Sequence, residues 1–379
     1  MERKLNTRLI DDKMNQCGLS QSALAEKLEV SREIVSQWLK NLKFPRPDKL
    51  LKLAEILNLQ YNEIVIKSSN EPVIAFRKKG NSKTTDEHIA RAKDMGVMLA
   101  NMVQCLPYER LSRPSTLIDP KNEYQYIQKA AGEVRKSITP NDGVINFKDL
   151  IGLFSELHAV IVPVLWGKKD SHENSLHIYL PDSMTTWVYL NLDTNLMDFK
   201  FWMSHELGHV KTPDLKGDDA EEFADNFAGA LLYPEKYASD DYKRISKISN
   251  ESNKLVFILS KAEELLISPV TVFQELNRYA GYINLPALDL NGLYPATAKL
   301  NKNYSLMSEV VLGTKKPLPE HYINGTTQTF NTPFFKCLKM YLKDSKKDHS
   351  YIQRIMNVPI TDAKGIFHFL SNGSEQNFS

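Results

Sequence analysis

Apolar residues recur at helical spacing along most of this 379-residue chain. Residues 1–66 predict a series of short helices, the first over residues 5–17, where Ile10 and Met14 lie four residues apart. Two further helical patterns follow Ser20 and Ser31, a residue type that favours helix N-caps. Compact apolar runs at 159–165, 176–180 and 187–192 are typical of buried strands, and helical patterns at 199–210 and 219–232 follow them. The pattern predicts an α+β, multidomain protein with an all-α N-terminal domain.

Breaks in this periodicity predict four parts. The N-terminal domain takes residues 1–66, and residues 67–119 form a linker and helical connector with one short strand at 73–76. The small sheet and its helices occupy residues 120–285. After residue 285 the periodicity weakens. We therefore expect residues 286–379 to form a small α+β accessory or sensor domain, with short strands and one helix near 334–342.

Composition restricts the class of protein. Hydrophobic residues make up 42% and charged residues 25%, which excludes a disordered or collagen-like chain. Apolar runs fall short of the roughly 18 residues that a membrane span needs, and the N-terminus lacks the apolar segment of a secretory signal. Cys17, Cys105 and Cys337 lie far apart, which fits free thiols in a reducing compartment. We therefore expect a cytoplasmic protein without a membrane partner.

Charge is distributed unevenly along the chain. Residues 1–85 carry 16 Lys and Arg against 10 Asp and Glu, a formal charge of +6, so the remaining residues carry −4 of the total of +2. A basic N-terminal part favours contact with nucleic acid, although a solvated helix face can have the same composition. Charge alone does not decide between these two interpretations.

Two adjacent helical patterns in this basic part have the layout of a helix-turn-helix. Ala25 is small where two helices would cross, and Val30 lies in the turn between them. The second helix would present one polar side to the DNA major groove, while the N-terminus of the first would face a phosphate. The predicted DNA-contact residues are Gln21, Arg32, Glu33, Ser36, Gln37 and Lys40.

The segments LSQ-x-x-LA, VSR and S-x-W resemble the phage-repressor-like (Cro/C1, or Xre) helix-turn-helix family over residues 5–59. The chain departs from that family after Trp38, where Leu39-Lys40-Asn41 replaces the usual Glu-x-Gly. The resemblance implies binding to an operator in double-stranded DNA and is compatible with a homodimer. A small helical domain that binds protein is the alternative.

A second group of residues has the spacing of a metal site. His205 and His209, in the motif His-Glu-x-x-His, would lie one helical turn apart on one face and can chelate a single Zn²⁺. Glu206 would then lie beside the remaining coordination position. On the next helical segment Glu221 and Asp225 are four residues apart, so that one carboxylate can bind the ion while the other orients a histidine.

The segments FW-x-SHELGH and E-x-x-AD-x-FAGALLYP resemble the ImmA/IrrE family of zinc metallopeptidases, a gluzincin-like group, over about residues 120–285. The resemblance implies a zincin-like domain that holds one Zn²⁺ per chain, or Mn²⁺ in its place. Its metal ligands would be His205, His209 and Glu221. Glu206 would be the general base, and Asp225 would hold a ligand histidine in place.

Several residues near the motif have more than one interpretation. Glu222 adjoins Glu221 and is the alternative ligand. Asp225 and Gly229 depart from the family, in which Asn and Ala are commoner. For the group that stabilises a developing negative charge on oxygen, the sequence offers three unranked candidates: Tyr233, Tyr237 and His177.

Both resemblances in one chain imply a DNA-binding transcriptional regulator that carries its own zinc-dependent endopeptidase and cuts a partner repressor, or itself, after a signal. Family members cut repressors in prophage, stress-response and toxin–antitoxin settings. The alternative is a repressor or antitoxin whose zincin-like domain serves partner binding or sensing with little turnover. The complete set of ligands and base favours the enzyme, and the missing signal segment argues against a secreted digestive protease.

Overall fold

The computed structural model describes residues 3–40, 42–67, 72–75, 86–108, 115–139, 143–167 and 174–372. The chain divides into two compact units, Met1–Glu71 and Pro72–Ser379. Among the described residues, no helix combines the length and the apolar character that crossing a membrane requires.

The first unit is a small helical domain with a two-stranded sheet. Its elements are β1 Arg3–Leu5, α1 Thr7–Gln16, α2 Gln21–Leu28, α3 Arg32–Leu39, α4 Pro47–Ile56, α5 Tyr61–Ile64 and β2 Val65–Lys67. β1 and β2 pair antiparallel, with Leu5 opposite Val65. The prediction of an all-α N-terminal domain was therefore wrong, because the domain also contains this two-stranded sheet. Its strands were missed because three residues are too few to produce an alternating pattern. Helix α1 begins after Asn6, whose side chain accepts a hydrogen bond from Leu9 N at 3.3 Å.

Capping serines begin the two central helices of this unit, as the sequence predicted. Ser20 Oγ accepts a hydrogen bond from Ala23 N at 3.2 Å, and Ser31 Oγ accepts one from Ile34 N at 3.3 Å. Between the two helices the backbone turns at Glu29, which has a left-handed conformation with φ 55°. The buried residues that α2 and α3 contribute are Leu24, Ala25, Leu28, Val35 and Trp38.

The second unit is a mixed α/β region with one four-stranded sheet and many helices. It begins with β3 Val73–Ala75, α6 Asp86–Met102, a 3₁₀ turn Val103–Cys105, α7 Tyr124–Ile138, α8 Phe147–Glu156, β4 Val160–Val164, β5 Ser175–Leu180 and β6 Thr185–Asn191. It continues with α9 Leu196–Lys211, α10 Gly217–Leu232, α11 Glu235–Ile245, α12 Glu251–Leu265 and α13 Pro269–Tyr282. It ends with α14 Leu293–Asn301, α15 Met307–Leu312, α16 Pro319–Phe330, α17 Phe334–Asp344, α18 His349–Met356 and α19 Ile360–Asn372.

The sheet has the strand order β3-β5-β6-β4. β4 runs parallel to β6, whereas β5 is antiparallel to β6 and β3 is antiparallel to β5. Every residue of β4, β5 and β6 is buried, because helices cover both faces. Leu176 and Ile178 of β5 pack into an apolar cluster with α6 and the C-terminal helices. Val188 and Leu190 of β6 pack into a second cluster with α8, α9 and α10.

The C-terminal region is helical, and the predicted small α+β domain was wrong. Residues 286–372 form α14 to α19 without a named strand, although Leu306 makes one isolated β-bridge with Asn195. These helices are short and separated by turns, so each offers too few residues for a clear period. The helix predicted near residues 334–342 is α17.

Elements that the sequence assigned to a linker contribute to the second unit. β3 is the edge strand of the sheet, and α6 buries Met95, Leu99 and Met102. Residues 68–71, 76–85 and 109–114 of this predicted linker lie outside the described residues, and they include Phe76 at the end of the predicted strand.

Candidate functional site

Helix α9 carries the His-Glu-x-x-His sequence through the interior of the second unit. Every residue from Phe199 to Val210 is buried. His205, Glu206 and His209 are only 1%, 2% and 3% exposed. Burial of charged or polar groups is costly unless they find partners, so these side chains require an organised polar environment.

Helix α10 lies very close to α9 at the centre of the motif. A Cβ added to Gly208, which lies between the two histidines, would be 2.9 Å from Ala224 Cα. Glycine is therefore required here for the two backbones to approach. The close contact places Glu221 and Asp225 of α10 beside the histidines of α9.

The two histidines and Glu221 form a compact cluster. His205 Nε2 and His209 Nε2 are 3.0 Å apart. Glu221 Oε2 lies 3.5 Å from His205 Nε2, and Glu221 Oε1 lies 3.3 Å from His209 Nε2. The three ligand atoms lie within 4.8 Å of one another, so a single ion can contact all of them. Asp225 Oδ1 lies 2.9 Å from His205 Nδ1, on the other side of the ring, and holds its orientation.

The electrostatics of this cluster favour positive charge at its centre. Burial acts against the charged form of His205, but the hydrogen bond with Asp225 and the nearby Glu221 outweigh it and raise the pKa of His205 to about 9. Burial alone would raise the pKa of Glu221, yet the two adjacent imidazoles lower this pKa to about 2. The three side chains therefore suit a cation held between the imidazoles and the carboxylate.

Several buried polar atoms around the cluster have no hydrogen-bond partner among the described residues. They are Glu221 Oε1 and Oε2, Glu206 Oε2 and His177 Nε2. Buried polar atoms normally have partners. Imidazole nitrogens and carboxylate oxygens are the donors that Zn²⁺ takes in proteins, so the residues present fit a divalent ion of this kind.

Strand β5 supplies two further polar side chains to the same place. Burial raises the pKa of Glu206, and the nearby Ser175 hydroxyl acts in the opposite direction by favouring the ionised carboxylate. The His177 ring stacks on the His209 ring with centroids 5.6 Å apart, and burial together with His209 lowers the pKa of His177 well below its usual value. Ser175 is not among the residues predicted from the sequence. The sequence feature that could have indicated Ser175 is its spacing of two residues from His177, which places both side chains on one face of a strand.

The alternative ligand Glu222 lies elsewhere. It is exposed and lines a separate cavity of about 330 Å³, together with Glu275 and Arg278. Gly229 belongs to that side of α10, because a Cβ added there would overlap the Glu275 carboxylate. The structure thus brings Glu221, rather than Glu222, to the histidines.

The three candidates for oxyanion stabilisation differ in their surroundings. The Tyr233 hydroxyl donates to Asp241 Oδ2 at 2.7 Å, and the Tyr237 hydroxyl accepts from Arg135 Nη2 at 3.1 Å. Both tyrosines are therefore engaged in other contacts. His177 is the candidate that lies against the cluster.

The predicted DNA-contact residues lie on α2 and α3 of the first unit. Arg32, Glu33 and Lys40 are exposed, and Gln21, Ser36 and Gln37 are half-buried. Because the opposite side of α3 contributes Val35 and Trp38 to the core, the polar side remains available for a ligand.

Comparison with known proteins identifies the first unit. Residues 10–64 match the helix-turn-helix family, so the chain contains a DNA-binding helix-turn-helix domain of the Xre type. This match supports a DNA-binding transcription regulator. Searches of curated proteins and of solved structures find no match for the chain. The metallopeptidase resemblance of residues 120–285 stays a prediction.

Proposed function

We propose that the second unit is a zinc-dependent endopeptidase of the zincin type, and that this regulator cuts a peptide bond in a partner repressor or in itself. The observation that supports this proposal is the convergence of His205, His209 and Glu221 beside Glu206, inside a largely apolar core. Such a set of donors is unusual as a purely structural element, because a buried carboxylate oxygen without a hydrogen-bond partner among the described residues, such as Glu206 Oε2, costs free energy.

Each residue has a definite task in this mechanism. His205, His209 and Glu221 would hold Zn²⁺, and Mn²⁺ is the alternative ion for the same donors. When bound, the ion would lower the pKa of a water molecule and polarise the scissile carbonyl. Glu206 would accept the proton from that water and return it to the leaving amine.

Two neighbouring residues would support this chemistry. Asp225 accepts from His205 Nδ1, which leaves His205 Nε2 directed at the cluster. His177 is neutral because its pKa is lowered, and its buried Nε2 has no partner among the described residues. A neutral imidazole with Nε2 protonated can donate a hydrogen bond to the developing oxyanion.

Metal content and proteolysis of three proteins test this proposal. The wild-type protein, Glu206→Gln and His205→Ala would be reconstituted with zinc at neutral pH, and bound metal and self-cleavage or cleavage of co-purified protein would be followed by mass spectrometry. We expect about one zinc per chain in the wild type and in Glu206→Gln, loss of zinc in His205→Ala, and proteolysis in the wild type alone. Absence of bound metal, or proteolysis retained in Glu206→Gln, would contradict the proposal.

The burial of the site supports a second candidate function. Because the histidines are almost fully covered, a bound ion would be shielded from solvent, as suits a metal-dependent sensor or partner-binding module of a repressor or antitoxin. In that case zinc would bind without proteolysis, and zinc removal would change DNA affinity in a band-shift assay. Equal DNA affinity with and without zinc, together with proteolysis in the wild type, would exclude this alternative.

A further inference from the structure

The edge strand β3 lies directly beside the metal cluster. Its register pairs Val73 with Tyr179, Ile74 with Ile178 and Ala75 with His177. β3 is also the first element of the second unit, so it directly follows the DNA-binding unit in the chain.

The two faces of β3 have different surroundings. Residues that pair across strands share one face of a sheet. Ile74 therefore lies on the face of Ile178 and packs into the apolar cluster with α6. Ala75 lies on the face of His177, whose ring stacks on His209. β3 also contacts α10, the helix that carries Glu221.

β3 is less buried than its neighbours, but it is seated specifically. All three of its residues are half-buried, whereas β5 and β6 are buried throughout. The residue before it, Pro72, is buried against Gly96 of α6, where an added Cβ would overlap the proline ring. The chain thus provides a fitted position for a short strand at this edge, without burying that strand in the core.

The edge of a sheet is a general means of binding an extended peptide. Backbone hydrogen bonds of an added strand supply affinity, and the side chains of alternate residues supply specificity. If β3 leaves, the edge of β5 becomes available beside His177 and the metal cluster. A peptide bound there would pass the residues to which we assign the hydrolysis.

We propose that Val73–Ala75 is an internal, displaceable occupant of the β5 edge, which an extended peptide must replace before it can lie beside the metal cluster. Ligands are extended peptides that replace β3, with a β-branched apolar residue at the position of Ile74 and a small residue at the position of Ala75. The proposal rests on the proposed function for the role of the metal cluster, but strand exchange at this edge can be measured without hydrolysis.

The experiment compares the full-length zinc-treated protein with Ile74→Asp, which places a charge in the apolar cluster and should release β3. Ile118→Asp is the matched control, because Ile118 is 89% exposed. The probe is a fluorescent synthetic peptide with the sequence of residues 70–78. Peptide binding is measured by fluorescence polarisation. Protection of the backbone amides of β5, over residues 176–179, is measured by hydrogen–deuterium exchange.

We expect the β5 amides that face β3 to exchange at least about tenfold faster in Ile74→Asp and to regain protection when the peptide is added, while the alternate amides that face β6 remain protected. The peptide should bind this variant at least about tenfold more tightly than the wild type, because the tethered strand competes at an effective concentration on the order of 1 mM. Ile118→Asp should behave like the wild type. Weak binding to both proteins, or protection by the peptide at another place, would overturn the proposal.

A second measurement needs no variant. Excess peptide added to the wild-type protein should accelerate exchange at residues 73–75, because the peptide displaces β3, and unchanged exchange there would also overturn the proposal. Failure of the proposed function has a different signature. The peptide would then replace β3 but remain uncut by the zinc-loaded protein, and Glu206→Gln would behave in the same way.

Discussion

Substitution of Gly208 by alanine tests whether the close contact between α9 and α10 creates the metal cluster. The added Cβ would lie 2.9 Å from Ala224 Cα and 3.2 Å from Ala224 Cβ. Carbon atoms at optimal contact are about 3.5–4.0 Å apart, so the two helices must separate by roughly 0.6–1 Å. Because His205 and His209 lie on α9 and Glu221 on α10, this separation widens the gap that an ion must bridge.

The expected effects follow from two opposing contributions to stability. Overpacking costs about 1–3 kcal/mol, while replacing a helical glycine by alanine gains up to about 1 kcal/mol. Metal sites tolerate ligand displacements of only about 0.2 Å, so zinc affinity should fall on the order of tenfold or more. Urea unfolding of the metal-free protein and zinc titration against a competing chelator measure the two effects separately.

Gly132 in α7 and Gly152 in α8 provide matched controls, since an added Cβ at either position meets nothing within 4 Å. Alanine at these positions should raise the free energy of unfolding by about 0.5–1 kcal/mol and leave zinc affinity unchanged. Relative to these controls, Gly208→Ala should be less stable by about 1–3 kcal/mol. If Gly208→Ala gains as much stability as the controls and binds zinc like the wild type, the close contact of α9 with α10 does not set the geometry of the metal cluster.

Three further predictions concern other parts of the chain. Asp225→Ala should weaken zinc binding about 10–100-fold in chelator competition, because His205 loses the carboxylate that orients it, and unchanged affinity would contradict that role. Burial raises the pKa of Glu275 from 4.5 to about 7 despite Arg278, so the folded state binds more protons than the unfolded state between these values, and this group's contribution to stability is lost as pH rises. Urea unfolding at pH 4.5 and pH 7 measures how far the free energy of unfolding falls between these values, and this fall should be smaller by roughly 3 kcal/mol in Glu275→Gln than in the wild type. An equal fall in the two proteins would contradict this assignment. Arg32→Ala should weaken binding to a DNA site selected from random sequences by about 1–3 kcal/mol in band shifts, and full affinity would exclude base contact by Arg32.

Local features of the chain were the most predictable. The helices that follow Ser20 and Ser31 begin where the serine hydroxyls accept backbone hydrogen bonds, an interaction that spans three residues. The helical patterns around residues 199–210 and 219–232 correspond to α9 and α10. The three-residue strands β1 and β2 and the short C-terminal helices were missed, because each contains too few residues for a period to emerge.

By itself, the sequence determined the helix-turn-helix and the juxtaposition of His205 with His209, because a helix places residues four apart on one face whatever surrounds it. The sequence favoured Glu221 over Glu222 through its four-residue spacing from Asp225, and the tertiary structure shows that Glu221 is the carboxylate beside the histidines. It also placed His177 against His209 and β3 against β5. These relationships depend on the contact of α9 with α10 and on strand pairing across about a hundred residues, which no local pattern encodes.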